Sequence, residues 1–162
     1  MVMPPSLKIR LQKTFDHIFV NNTHVILCLL ALTFAGVVVY RNSFNVPFLF
    51  DDMTQIVFNP RIRSLEWPWH FILNNRRPLL YTTLAFNFHD HQFRTFGYHA
   101  FNIRVHILAA MSLFLLIYKT CRLPKMNIDI RQDAVFLALG ASLLWLCNPL
   151  QTQAVTYIIQ RA

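Results

Sequence analysis

From His17 to Tyr40 the sequence contains no Asp, Glu, Lys or Arg, and from Val25 onward it is almost wholly apolar. About 20 such residues, at a rise of 1.5 Å each, cross the ~30 Å hydrocarbon layer of a bilayer. Inside that layer the backbone must satisfy its own hydrogen bonds, so one apolar segment enters it as an α-helix. A cleaved signal peptide would have a shorter apolar region and a small-x-small cleavage site. The run therefore reads as an uncleaved first transmembrane helix over about residues 20–41, ended by Arg41.

The rest of the chain extends this reading. Hydrophobic residues make up 55% and charged residues only 14% of the sequence, against about 25% charged in a typical soluble domain. A second span is expected over about 101–118, with its core from Val105 to Tyr118. A third is expected over about 134–148, because Ala134 to Gln160 again lacks formal charge. Asn148-Pro149 interrupts it: Ala134 to Cys147 gives only about 21 Å of helix, so this helix ends at an interface near Asn148 or is broken there. The expected fold is all-α: one polytopic membrane unit covering residues 1–162, with about three transmembrane helices and a long loop, 42–99.

The loop is rich in Trp, Tyr and Phe, which favour the membrane–water interface. Trp67 to Leu73 reads as a short interfacial helix. Leu79 to Phe88 reads as another, started by Pro78 in its first turn.

The net charge of +8 does not point to nucleic acid, because the cations flank apolar segments, where membrane orientation accounts for them. Lys8, Arg10 and Lys13 precede the first span. Lys119, Arg122, Lys125 and Arg131 crowd the short link between the second and third. The positive-inside rule then puts the N-terminus and that link in the cytoplasm, and the long loop and the stretch after Asn148 outside. Asp51-Asp52, Arg76-Arg77, the His89–His99 cluster and Arg161 converge on that outer face.

Several elements recur in the order seen in the transmembrane and tetratricopeptide-repeat O-mannosyltransferase-like family, integral-membrane glycosyltransferases of the GT-C class. They are Asn42-Ser43, Phe50-Asp51-Asp52, Ile56 and Asn59-Pro60; then Arg77-Pro78-Leu79, Gly97-Tyr98-His99, Asn102 and His106; then Asn148-Pro149-Leu150-Gln151-Thr152, Tyr157 and Arg161. The chain resembles the N-terminal portion of that family from about residue 23 onward. It departs at Asn148, where the family often has His, and at Gln153, where it often has Glu. The resemblance implies further helices and a repeat array downstream, so the sequence is expected to be a fragment or a truncated product. Three helices are too few to enclose a lipid donor and an acceptor, and 162 residues alone are expected to be inactive.

The resemblance implies transfer of a sugar from a polyprenyl or dolichyl phosphate to a protein hydroxyl, on the outer face of a bacterial inner membrane or the luminal face of the endoplasmic reticulum. Such transfer needs a base within hydrogen-bond reach of the acceptor proton. A lone carboxylate is a weak base, but a neighbouring like charge makes one member of a pair more basic. Asp51 is the expected base and Asp52 its orienting partner, unless the pair simply caps a turn. Arg77 and Arg161 are candidates for the donor phosphate, given the bidentate fit of guanidinium to phosphate, or they snorkel to the interface. His99, Asn102 and His106 are candidate substrate contacts. No zinc-ligand spacing is matched around His89-Asp90-His91, and no cofactor is expected, a divalent metal being the less favoured option. A non-catalytic alternative stays open: an anchor, an assembly partner of other membrane subunits, or a polyprenyl-lipid binder.

Overall fold

A computed structural model describes residues 5–63 and 77–160, with side chains from residue 23 onward. The described residues are helical or irregular, with no strand. Helix α1 (Pro5–Tyr40) leads into a 3-10 turn over Arg41–Asn45. A π turn over Met53–Val57 and a 3-10 turn over Pro60–Arg63 follow. Then come α2 (Pro78–His91), α3 (Thr95–Cys121), the short α4 (Ile128–Gln132) and α5 (Ala134–Leu146). After a 3-10 turn at Pro149–Gln151, α6 (Thr152–Thr156) ends the fold with a last turn at Ile158–Gln160.

Among the described residues two segments, Thr23–Asn45 and Thr95–Cys121, are long and apolar enough to cross a membrane. The third expected span is the bent pair Ala134–Leu146 and Pro149–Thr156, whose axes differ by 52°. Asn148 explains the break: its side chain accepts from the Leu150 N–H, and Pro149 opens the next turn, as proline does where no amide is required. The helices differ from their expected bounds. α1 starts at Pro5 rather than about 20, because no proline interrupts the chain between Pro5 and Pro47 and apolarity limits the span, not the helix. α3 starts at Thr95 rather than 101, because its polar first turns pack on protein instead of lipid. α5 stops at Leu146, two residues before the expected end. In the loop, α2 is the expected helix with Pro78 in its first turn. The surface helix expected at Trp67–Leu73 lies outside the described residues.

α3 packs most extensively on α5, and α1 rests on both. Lipid tails are as apolar as leucine, so helices associate here through close packing, which favours small residues at the contact. On α5 the buried stripe is Ala134, Ala138, Ser142 and Leu146, and α3 contributes Ala110. Ala110, Ala138 and Leu146 share one buried cluster with residues that include Leu32, Ile103, Ile107 and Phe114. Phe34, Leu108, Leu116, Phe136 and Leu144 point outward, as lipid-facing side chains do. A second cluster lies under the loop, where Ile56, Ile62, Leu80, Leu84, Tyr98 and Ile158 meet.

Gly36 sets the approach of α1 to α3. A Cβ there would stand 2.5 Å from Cγ1 of Ile107. Gly36→Ala therefore overpacks the interface at a cost of about 1–3 kcal/mol, partly offset by about 1 kcal/mol of helix propensity. Thermal unfolding in detergent should show a net loss, and Ile107→Ala in the same chain should recover part of it by removing the atom struck.

Candidate functional site

The Asp51-Asp52 pair sits at a tight turn that the loop builds against the last segment of the chain. The Asp52 N–H donates to the Leu49 carbonyl at 2.9 Å, and the Met53 N–H to that of Phe50 at 3.1 Å. Phe50 has φ of 45°, a region that a bulky side chain rarely enters and that costs about 1–2 kcal/mol. Such backbone persists only where its surroundings hold it, and it clusters at functional sites. The turn runs straight into the π turn at Met53–Val57, another irregularity often found at such sites.

The two carboxylates have different surroundings. Asp51 is exposed, whereas Asp52 is 1% exposed. Asp52 stands at the cap position of the following turn yet makes no side-chain cap bond to it. Its Oδ1 instead accepts from the buried Ile159 N–H at 2.9 Å, and Oδ2 lies 3.4 Å from the Leu49 N–H. Asp52 thus ties the loop to the segment after Asn148, a sequence separation of 107. Gln55 fixes the other side, accepting from the Tyr81 hydroxyl on α2 at 2.8 Å.

His99, Asn102 and His106 lie along one face of α3, at spacings of three and four residues that align side chains on a helix. All three are buried, and each reaches a backbone carbonyl of a different segment. His99 Nε2 is 2.9 Å from the Val46 carbonyl oxygen. A carbonyl only accepts, so Nε2 is the donor in this contact. Asn102 Nδ2 donates to the carbonyls of Val155 at 3.2 Å and Tyr157 at 3.4 Å. His106 Nε2 is 3.4 Å from both the Leu146 carbonyl and the Tyr40 hydroxyl, and its ring stacks on Trp145 at 4.6 Å. These contacts bring the long loop and the stretch after Asn148 to the same end of the bundle. Two buried atoms on this face, His99 Nδ1 and Asn102 Oδ1, have no hydrogen-bond partner among the described residues.

Leu146 ends α5, so its carbonyl has no intrahelical partner, and at membrane depth an unsatisfied carbonyl is costly. The Tyr40 hydroxyl donates to it at 2.8 Å. Tyr40→Phe should lower stability by about 1 kcal/mol. Combined with His106→Leu, the loss should exceed the sum of the single losses, since the carbonyl then has neither partner. Thermal unfolding of the two single variants and the double variant measures this.

Arg77 precedes α2 at the rim of a groove of about 400 Å³, whose wall is otherwise Pro78, Leu79, Leu80, Thr83, Phe101 and Val105. Arg161 lies outside the described residues, as does Arg76. His89 Nδ1 is 3.2 Å from the Asp90 carboxylate, both exposed. Among the described residues no three His, Cys, Asp or Glu side chains converge as metal ligands.

Sequence reasoning missed Tyr40, Trp145, Gln55 and the Ile159 amide. Tyr40 had a signal, as the polar ring that closes the charge-free run. The Ile159 amide had none, since a backbone donor carries no residue signature.

No family model matches the chain, and no solved structure matches it. It is 28% identical over 148 residues to a protein O-mannosyl-transferase of Caenorhabditis elegans, covering 83% of this chain and 20% of that protein. It is 29% identical over 165 aligned positions to the protein O-mannosyl-transferase Tmtc3 of Drosophila melanogaster, covering 82% of this chain and 17% of that protein. The chain is thus a membrane protein similar to glycosyltransferases over most of its length. It spans about a fifth of the length of these curated relatives.

Proposed function

We propose that this chain forms the opening part of a GT-C-like membrane glycosyltransferase that moves a sugar, mannose by analogy with its relatives, from a polyprenyl or dolichyl phosphate to a protein hydroxyl. The observation that carries this reading is the asymmetry of the aspartates: Asp51 exposed, beside Asp52 buried and hydrogen-bonded to the backbone. That asymmetry suits a division of roles. Asp51 takes the acceptor hydroxyl proton as the oxygen attacks the anomeric carbon, and Asp52 holds the turn that aims it. The sugar–phosphate bond breaks, and the phosphate leaves with the bonding electrons.

Arg77, with Arg161, meets the leaving phosphate. The apolar groove beside Arg77 suits the isoprenoid part of the donor. Lys and Arg in the N-terminal tail and the 119–133 link support an orientation with those segments in the cytoplasm and the aspartates outside. A second reading, an anchor or assembly partner without chemistry, is favoured by one observation. His99, Asn102 and His106 are engaged by carbonyls of this same chain.

The test is reconstitution of the longest natural form in vesicles with labelled polyprenyl-phosphate mannose and a hydroxyl-bearing acceptor protein. Label should pass from the lipid to Ser or Thr of the acceptor. Transfer from a nucleotide sugar instead, or none from the lipid, would contradict the reading.

A further inference from the structure

At the end of the bundle opposite the aspartates, a pocket of about 370 Å³ opens between the end of α3 and the start of α5. Its wall includes Tyr118, Arg122, Ile128, Arg131, Gln132 and Val135. Arg122 is half-buried. Its guanidinium donates to the Tyr118 hydroxyl and lies 5.4 Å from the centre of that ring. A tyrosine thus holds one cation in place while Arg131 faces the same space. Asp129 and Asp133 belong to the same connection, but neither lines the pocket. The N-terminus of α5, the positive end of its dipole, forms another part of the wall.

The position is as telling as the charge. Tyr118 is near the end of the Thr95–Cys121 span, and Val135 is at the start of the next apolar helix. The pocket therefore sits where hydrocarbon gives way to head groups, with apolar Ile128 and Val135 beside two guanidinium groups. A free anion has no use for the apolar wall, and a neutral head group has none for the paired arginines. We infer that this pocket binds the phosphate of an anionic membrane phospholipid, with the glycerol and upper acyl carbons against Ile128 and Val135. The site is separate from the aspartate end and does not depend on any transferase activity. Basic pockets between spans on the positively charged side of a membrane protein suit such head groups.

The test uses the full chain in nanodiscs of equimolar phosphatidylglycerol and phosphatidylcholine, with bound lipid counted by native mass spectrometry. Phosphatidylglycerol should be retained over phosphatidylcholine. The double variant Arg122→Gln/Arg131→Gln should weaken its binding about thirtyfold, from about fivefold per cation near the surface. Gln132→Glu keeps both arginines and places a negative charge in the wall; it should also weaken binding. It decides the matter if the double variant does not fold, as read by helicity and thermal unfolding. Three results would overturn the assignment: equal retention of both lipids, an equal loss from Lys119→Gln/Lys125→Gln outside the pocket, or displacement of the lipid by millimolar inorganic phosphate alone.

Discussion

Asp52→Ala should unfold at a clearly lower temperature than the parent chain, with a loss of about 1–3 kcal/mol. The residue is 1% exposed, and its Oδ1 is the acceptor for the buried Ile159 N–H at 2.9 Å. Truncation removes the bond and leaves a buried donor with nothing to bond, which costs about 1–3 kcal/mol. Asp52→Asn keeps a carbonyl oxygen at the same place, so it should lose less than half as much. Hydrogen exchange separates this account from a general loosening. The Ile159 amide should lose protection in Asp52→Ala, while amides in the middle of α3, such as Ala110, keep theirs. Unchanged protection at Ile159 would remove Asp52 from its place as the tie between loop and tail.

The same contact shows where sequence reasoning reaches and where it stops. The spans were legible because lipid imposes a length and an absence of charge, and the charge-free run His17–Tyr40 meets both. The break at Asn148-Pro149 was legible because proline lacks the amide that continues a helix. Pro78 at the start of α2 follows from the same property. The start of α3 was not legible. Tyr98 and His99 look like loop residues by polarity, yet each is buried against protein. Apart from the Tyr40 hydroxyl beside His106, the hydrogen-bond partners of His99, Asn102 and His106 are carbonyls, which every residue type carries equally. Phe50 at positive φ was equally hidden, since a turn of that kind is read from Gly or Asn.

The aspartates divide along the same line. That two acids stand together beside a membrane span was plain from the sequence. That one is buried and bonded to the backbone while its neighbour is exposed depends on residues more than a hundred positions away. The fold also brings Arg77 and the groove beside it to the loop end of the bundle, through α2 and its contact with Gln55.

Asp51→Asn tests the central claim most directly. The side chain is exposed, so the amide should leave thermal unfolding within about 0.5 kcal/mol of the parent. The amide cannot take a proton from an acceptor hydroxyl, and a positioned base contributes about 10²- to 10⁴-fold to such a step. The measurement is a glycan analysis of exported proteins from cells whose only copy of the longest natural form carries Asp51→Asn. The account predicts that O-linked mannose on its acceptors falls to background while the protein stays folded and in the membrane. A glycan profile identical to the parent's, from a stably folded variant, would contradict it.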